Sequence, residues 1–268
     1  THMTSMFDER MFGSVIYDSE FMGVPFEYET MFLYYNTLYL SETDVESWES
    51  IMAVATSLSK QSLAITNVDG YNDAFLTLSS FASSGQMPVS LFPYGDNTQT
   101  SLVNDGAVSV MKWGQRFYNH PNGAYVASNF SWQQDLANHD VLSFIGEHWQ
   151  FNEAYQALGS HLGVAVLPQF MIGPMDAYGS IMPGTVMQSG AFTDPYVFVM
   201  SAFTNKQAYL EDILLYFTSE DAQLLALEDY GRIPVMDDTS TFFDQLDLTD
   251  PYVLMNKTQV DMLEFGIP

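Results

Sequence analysis

Glu27 and Glu29 stand two residues apart in "GVPFEYETMFLYYN", Gly23 to Asn36. On a strand, that spacing puts two carboxylates on one face, with Cα atoms roughly 6.5–7 Å apart. A pair of acids at such a distance could serve glycoside hydrolysis. The two acids of a glycosidase flank the sugar from opposite sides, however, and neighbours on one strand face the same way. No second carboxylate facing them can be identified, so this reading ranks last and no catalysis is expected. On local pattern alone the two acids form the solvated face of a strand whose other face carries Val24, Phe26 and Tyr28.

Other candidate groups are sparse. His148 beside Glu147 is the kind of pair that more often makes a local hydrogen bond than a metal site. "VDGYND", Val68 to Asp73, resembles a calcium loop loosely and lacks its distal Glu, so it reads as a turn. There is no G-x-S-x-G, H-E-x-x-H, phosphate-binding loop or G-x-G-x-x-G. With no cysteine, thiol catalysis, disulfides and thiolate metal sites are excluded. No cofactor is expected.

The 268 residues are enough for one large domain or two small ones. Hydrophobic residues make up 47% and charged residues 15%, which supplies a packed core and excludes a disordered chain. Seven Lys and Arg oppose 33 Asp and Glu, for a net charge of -26. Such a surface repels phosphate, so nucleic acid is excluded as a partner and anionic membranes are disfavoured. It suits neutral or cationic ligands. The 20 Phe, 16 Tyr and 4 Trp supply rings for a core and, beside acids, for sugar C–H faces. Thr1-His2-Met3 reads as a cloning scar, so a native leader would not be visible here.

The elements that position these groups alternate between extended and helical, which argues for α/β. Residues 15–35 read as extended, ending in the apolar run Met31 to Tyr35. Ser47 caps a helix from Trp48, and its apolar positions through Leu58 recur at helical spacing. Ser62–Thr66 is a short strand and Asn72–Ser83 a second helix. Residues 98–119 form the clearest helix, with Leu102, Gly106, Val110, Trp113 and Phe117 as its stripe. Residues 130–138 and 148–158 are helical; 141–145 and 163–167 are strands. Met171 to Gly184 is a loop or hairpin, with extended segments near 185–189 and 196–202. Helices follow at 205–217 and 220–229, the second stopped by Gly231, and at 251–264, where Asp250 caps and Pro251 starts the helix.

Four segments in order resemble the extracellular solute-binding proteins of ABC transporters, the maltose-binding-protein-like family. "GVPFEYETMFLYYNTLYL" is similar to a Gly-x-Pro, acid, Tyr-Asn-x-x-Leu segment. "ESWESIMAVATSL" resembles the Trp-Glu-Glu-Leu helix that follows. "FIGEHWQFNEAYQALGSHLGVAVLPQF" resembles a Gly-x-Trp segment leading into Gly-x-x-x-Leu-Pro. "NKQAYLEDILLYFTSEDAQLLALEDYGRIPVMDD" resembles paired helices with a Gly-x-x-Pro turn. The resemblance implies a type II periplasmic-binding-protein-like fold with one near-complete lobe and part of the other. Residues 1–29 and 190–238 would belong to the first lobe, 30–189 to the second, and 239–268 would be a C-terminal segment. The first strands of the N-terminal lobe and the last helices are not matched, which is expected of a fragment, a chain completed by another, or a shortened relative.

By the same resemblance, Glu29, Trp149, Tyr71, Glu27 and His148 would contact a ligand. Trp149 corresponds to the stacking aromatic of the Gly-x-Trp segment, against the alternative of a buried strand-end Trp. The implied function is binding of a carbohydrate or similar neutral solute outside the cell, for import through an ABC permease. The implied setting is a periplasm or a lipid-anchored cell surface. The alternative is a lobe used as an interaction module, with homo-oligomers formed through its exposed surface.

Overall fold

The computed structural model describes residues 15–17, 20–66, 105–127, 131–172, 185–236, 243 and 246–267. The expected helix at Asn72–Ser83 and the turn at Val68–Asp73 lie outside them. In chain order, β1 (Ile16–Tyr17) and β2 (Glu20–Phe21) form a small antiparallel ribbon. The extended stretch that follows is two strands, β3 (Val24–Glu29) and β4 (Phe32–Asn36). Next come α1 (Trp48–Leu58), β5 (Gln61–Thr66), α2 (Asp105–Asn119), β6 (Ala124–Ala127), α3 (Ser131–Ala137) and β7 (Val141–Gly146). A 3-10 turn, His148–Gln150, opens α4 (Phe151–Leu158), followed by β8 (Leu162–Ala165). β9 (Gln169–Ile172) and β10 (Thr185–Gln188) pair antiparallel, and the expected loop or hairpin at Met171–Gly184 falls mostly outside the described residues. β11 (Ala191–Phe192), β12 (Asp194–Phe198), α5 (Gln207–Phe217), α6 (Glu220–Tyr230), α7 (Pro251–Met262) and β13 (Gly266–Ile267) complete the chain.

Local chemistry sets several boundaries. The Ser47 side chain accepts from the Ser50 amide at the start of α1, and Asp250 accepts from Tyr252 at the start of α7, with Pro251 in the first turn. Gly231 ends α6 at φ +64°, a conformation that would strain any side chain with a Cβ.

The main sheet runs β6-β5-β7-β4-β8, parallel among β6, β5 and β7 and antiparallel on either side of β4. Every residue of β4 and of β7 is buried, as a strand covered on both faces requires. One layer joins Trp132 of α3, stacked 4.0 Å from Phe144, to Tyr34 and Phe32. Another joins Trp48 of α1 to Phe117 and Trp113 of α2 and to Phe170 of β9. Each such ring contributes several kcal/mol of hydrophobic burial, on the order of 25 cal/mol per Å² of apolar area.

β3 belongs elsewhere. It pairs antiparallel with β12, and the ladder shifts register between Tyr196 and Val197, opposite Pro25, which has no N–H to give. On its other side Tyr28 bridges to Ile233. The chain therefore changes sheets across Thr30–Met31. α7 joins the two regions. Met255 and Met262 pack into the main core, while Val260 and the following Leu263 pack with Val24, Tyr28, Ile233 and Val235. The Gln259 side-chain amide also donates to the Gly231 carbonyl.

Gln223 of α6 ties the β3 region together. Its amide donates to the carbonyls of Phe26 (2.9 Å) and Phe217 (2.8 Å), and its carbonyl accepts from the Val235 amide (2.9 Å). By contrast, α5 buries none of its residues. Tyr209, Ile213, Leu215, Tyr216 and Phe217 are exposed, and the neighbouring Phe203 is 98% exposed. Gln223→Ala leaves three backbone groups without their partner, and we expect a loss of about 3 kcal/mol in urea unfolding. A change near zero would show that α6 does not organise this region.

Candidate ligand-binding site

β3 carries its two acids between two flanking segments, and each acid has a partner on a different side. Tyr196 lies opposite Glu27 in the β12 ladder, and its phenol hydrogen-bonds to Glu29. That bond, partial burial and the negative field of Glu29, Glu27 and Glu147 push the Tyr196 hydroxyl up to about 12. On the other side, the bridge between Tyr28 and Ile233 brings Arg232 alongside β3. Its Nη1 donates to both carboxylate oxygens of Glu27. The guanidinium carbon sits 5.9 Å from the centre of the Phe26 ring, which stacks on Phe198 at 4.0 Å.

A second wall comes from the turn after β7. Gly146 lies opposite Phe32 in the main sheet, so this turn and the end of β3 share one end of the sheet. A Cβ on Gly146 would come within 2.5 Å of the Phe144 ring and 2.8 Å of Gln150 Oε1, so only glycine lets the turn close. The Glu147 side chain accepts from the Gln150 backbone, Gln150 Oε1 accepts from the Glu147 amide at 3.0 Å, and the Tyr34 hydroxyl donates to the Glu147 carbonyl at 3.0 Å. This held turn presents Trp149, 49% exposed, with the His148 ring edge-on at 5.1 Å. Burial and the positive charge of Arg232 hold His148 down to about 4, so it is neutral at pH 7 and lies within the field of the first wall.

Glu29, Glu27, His148 and Trp149 thus fall on two walls that interact electrostatically, through Arg232 with His148 and Glu147 with Tyr196. Tyr71 lies outside the described residues. The reading of Glu27 as part of a solvated face is corrected: it is 2% exposed, because Arg232 covers and pairs with it. Trp149 is not a buried strand-end residue either. Counted from Gly146 it is the third residue and His148 the second, so the Gly-x-Trp correspondence falls between them and the turn carries both rings. Sequence reasoning missed Tyr196 and Arg232. Tyr196 had no local signal, since strand pairing brings it to Glu29. Arg232 had one: it is among only seven Lys and Arg, and it sits in a Gly-x-x-Pro turn.

Two grooves of about 190 and 340 Å³ border Glu49 at the start of α1 and include none of these residues. Among the described residues, no three His, Asp or Glu are placed to share a metal ion.

Residues 4–245 match the family described as bacterial extracellular solute-binding protein. No curated protein matches the chain. Among solved structures, a cyclo/maltodextrin-binding protein complexed with maltotetraose superposes with TM-score 0.72 at 19% identity, covering 100% of this chain and 64% of its own. The maltodextrin-binding protein MalE1 from L. casei BL23, without ligand, gives 0.70 at 18% identity, covering 98% and 62%. A Thermus thermophilus maltotriose-binding protein bound with maltotriose gives 0.69 at 16% identity, covering 100% and 66%. The fold is the bilobed α/β fold of these binding proteins, and the chain spans less than two thirds of their length.

The two walls make stability depend on pH. His148 titrates near 4 in the folded chain and near its ordinary 6.5 when unfolded. As pH falls, the unfolded state takes up the proton first, so His148's contribution is complete above 6.5 and is lost toward 4. Burial raises the Glu27 carboxyl above its ordinary 4.5, so its contribution, present below 4.5 and lost as pH rises, opposes that of His148. In urea unfolding at pH 7, 5.5 and 4.5, His148→Asn should lose less stability on acidification than wild type. Equal slopes would mean that His148 is not held neutral by this site.

Proposed function

The chain belongs to the bacterial extracellular solute-binding proteins, and from that premise we propose that it binds a carbohydrate or similar neutral solute for import by an ABC permease. The observation that carries the sugar reading is the pairing of two walls. One holds the Tyr196–Glu29 hydrogen bond and the other a half-exposed indole on a held turn. Sugar rings pack their C–H faces on an indole while their hydroxyls donate to a carboxylate. Relatives of the same fold include proteins complexed with maltotetraose and maltotriose, which supports the class of ligand.

In this reading residues 30–189 form one lobe and residues 1–29 with 190–238 contribute to the other, with 239–268 strapping the two. The crossing at Thr30–Met31, the stretch before β12 and α7 act as the hinge, and closure is stabilised by a ligand that touches both walls. Glu29 accepts ligand hydroxyls, Trp149 stacks, and His148 and Glu27 complete the walls. The role assigned is binding without turnover.

A second reading, an interaction module, is favoured by the uncovered apolar face of α5. Apolar patches of this kind mark contact surfaces. In that reading copies of the chain associate through α5. Sedimentation should then show concentration-dependent association that Tyr209→Ser with Ile213→Ser weakens; a monomer at all concentrations would remove this reading.

For the leading reading, maltotriose, maltotetraose and a wider panel of neutral glycans are titrated while tryptophan fluorescence is followed. One of them should shift the emission, and Trp149→Ala should abolish the shift. Glu29→Gln should weaken binding by roughly 10- to 100-fold, the range expected when a charged hydrogen-bond partner is lost. Absence of any response across the panel would defeat the carbohydrate assignment.

A further inference from the structure

We propose that Glu27 is a charge filter for the cleft. By neutralising Arg232, it lets the guanidinium offer N–H donors to ligand hydroxyls while withholding the net positive charge that would attract acidic sugars. The proposal rests on the glycan reading of the same cleft and adds the class of glycan it refuses.

The geometry is specific. Glu27 is 2% exposed, and both of its oxygens are occupied by a single nitrogen of Arg232. The carboxylate is therefore spent on the arginine and is withdrawn from solvent. The Arg232 side chain is 41% exposed, and its guanidinium carbon lies 5.9 Å from the centre of the Phe26 ring. Its charge reaches His148 on the opposite wall, so the two walls lie within range of one another's fields. The fork has five N–H donors, and holding Glu27 with Nη1 leaves the others for a ligand.

For stability alone the pair is a weak device, because desolvating the carboxylate offsets much of the Coulombic gain. Its larger consequence is the charge the cleft presents. Arg232 and Glu27 sum to zero, His148 is neutral, and Glu29 and Glu147 remain on the two walls. A carboxylated sugar meets like charges and no uncompensated cation, whereas a neutral sugar meets donors and acceptors alike. Rejection by misplaced charge is a general route to specificity.

The test uses two probes of matched shape, trigalacturonate and its fully methyl-esterified form, titrated by calorimetry. Wild type should favour the ester. Glu27→Gln uncovers the charge of Arg232 and should move the ratio of affinities toward the acid by about tenfold or more, equivalent to about 1.4 kcal/mol. The double variant Glu27→Gln with Arg232→Gln should return to the wild-type preference, which a merely structural role for Glu27 would not produce. Glu27→Asp retracts the carboxylate by one methylene and should shift the ratio the same way by less; it stands in if Glu27→Gln does not fold. No gain of acid binding in either single variant overturns the filter, whatever the wild type binds, as does a gain that survives loss of Arg232. A gain in the variants with no neutral glycan bound by wild type would leave the filter standing and overturn the neutral-glycan reading of the wild-type ligand instead.

Discussion

One continuous stretch of chain is hydrogen-bonded into two different sheets, and the rest of the site depends on that constraint. β3 is fixed by β12 on one side and by Ile233 on the other; two residues later β4 is fixed by β7 and β8. Thr30 and Met31 have no freedom to drift, because ladders on both sides pull the backbone into register. The acids at the end of β3 therefore arrive beside the turn that follows β7. Neither wall would be placed by its own sheet alone. α7 reinforces the junction by putting methionines into one core and Leu263 into the other.

Polar groups at this junction are held by one another. Glu29 has Tyr196, Glu27 has Arg232, and Glu147 closes its own turn with Gln150. In a chain with 33 acids and seven strong bases, a carboxylate cannot count on finding a cation. Glu27 is the one β3 acid that is both buried and ion-paired, since a buried charge is tolerated only with a hydrogen-bonded partner. Glu29 manages with a phenol because it remains partly exposed. The two acids look equivalent along the strand and differ because different segments lie across from them.

Among the described residues, the region around β3 also carries uncovered apolar side chains. α5 has an apolar composition but no buried residue, while Gln223 and Leu227 of α6 are buried. The solved relatives of this fold are longer, this chain spanning 62–66% of their length in the three compared. A helix such as α5 gains stability only from tertiary packing of its apolar side.

Much of the architecture could be read from the residues themselves. Helix limits followed from local chemistry at Ser47, Asp250, Pro251 and Gly231, and the buried strand from the unbroken run at Met31–Tyr35. These signals act within a few residues, so the chain displays them without its fold. The family resemblance rested on the same local segments. Other features depended on residues far apart in sequence. Glu27 looked solvated because its partner is 205 residues away, and Tyr196 carried no pattern that named Glu29. Periodicity did not show the break between β3 and β4, since both halves are extended and only their pairing partners differ; the family resemblance implied a lobe boundary there, between residues 29 and 30. Sequence periodicity reports which side of a strand a residue occupies; the partner lying across that side is decided by tertiary pairing, and here that partner sets whether an acid stays partly exposed or becomes a buried counter-ion.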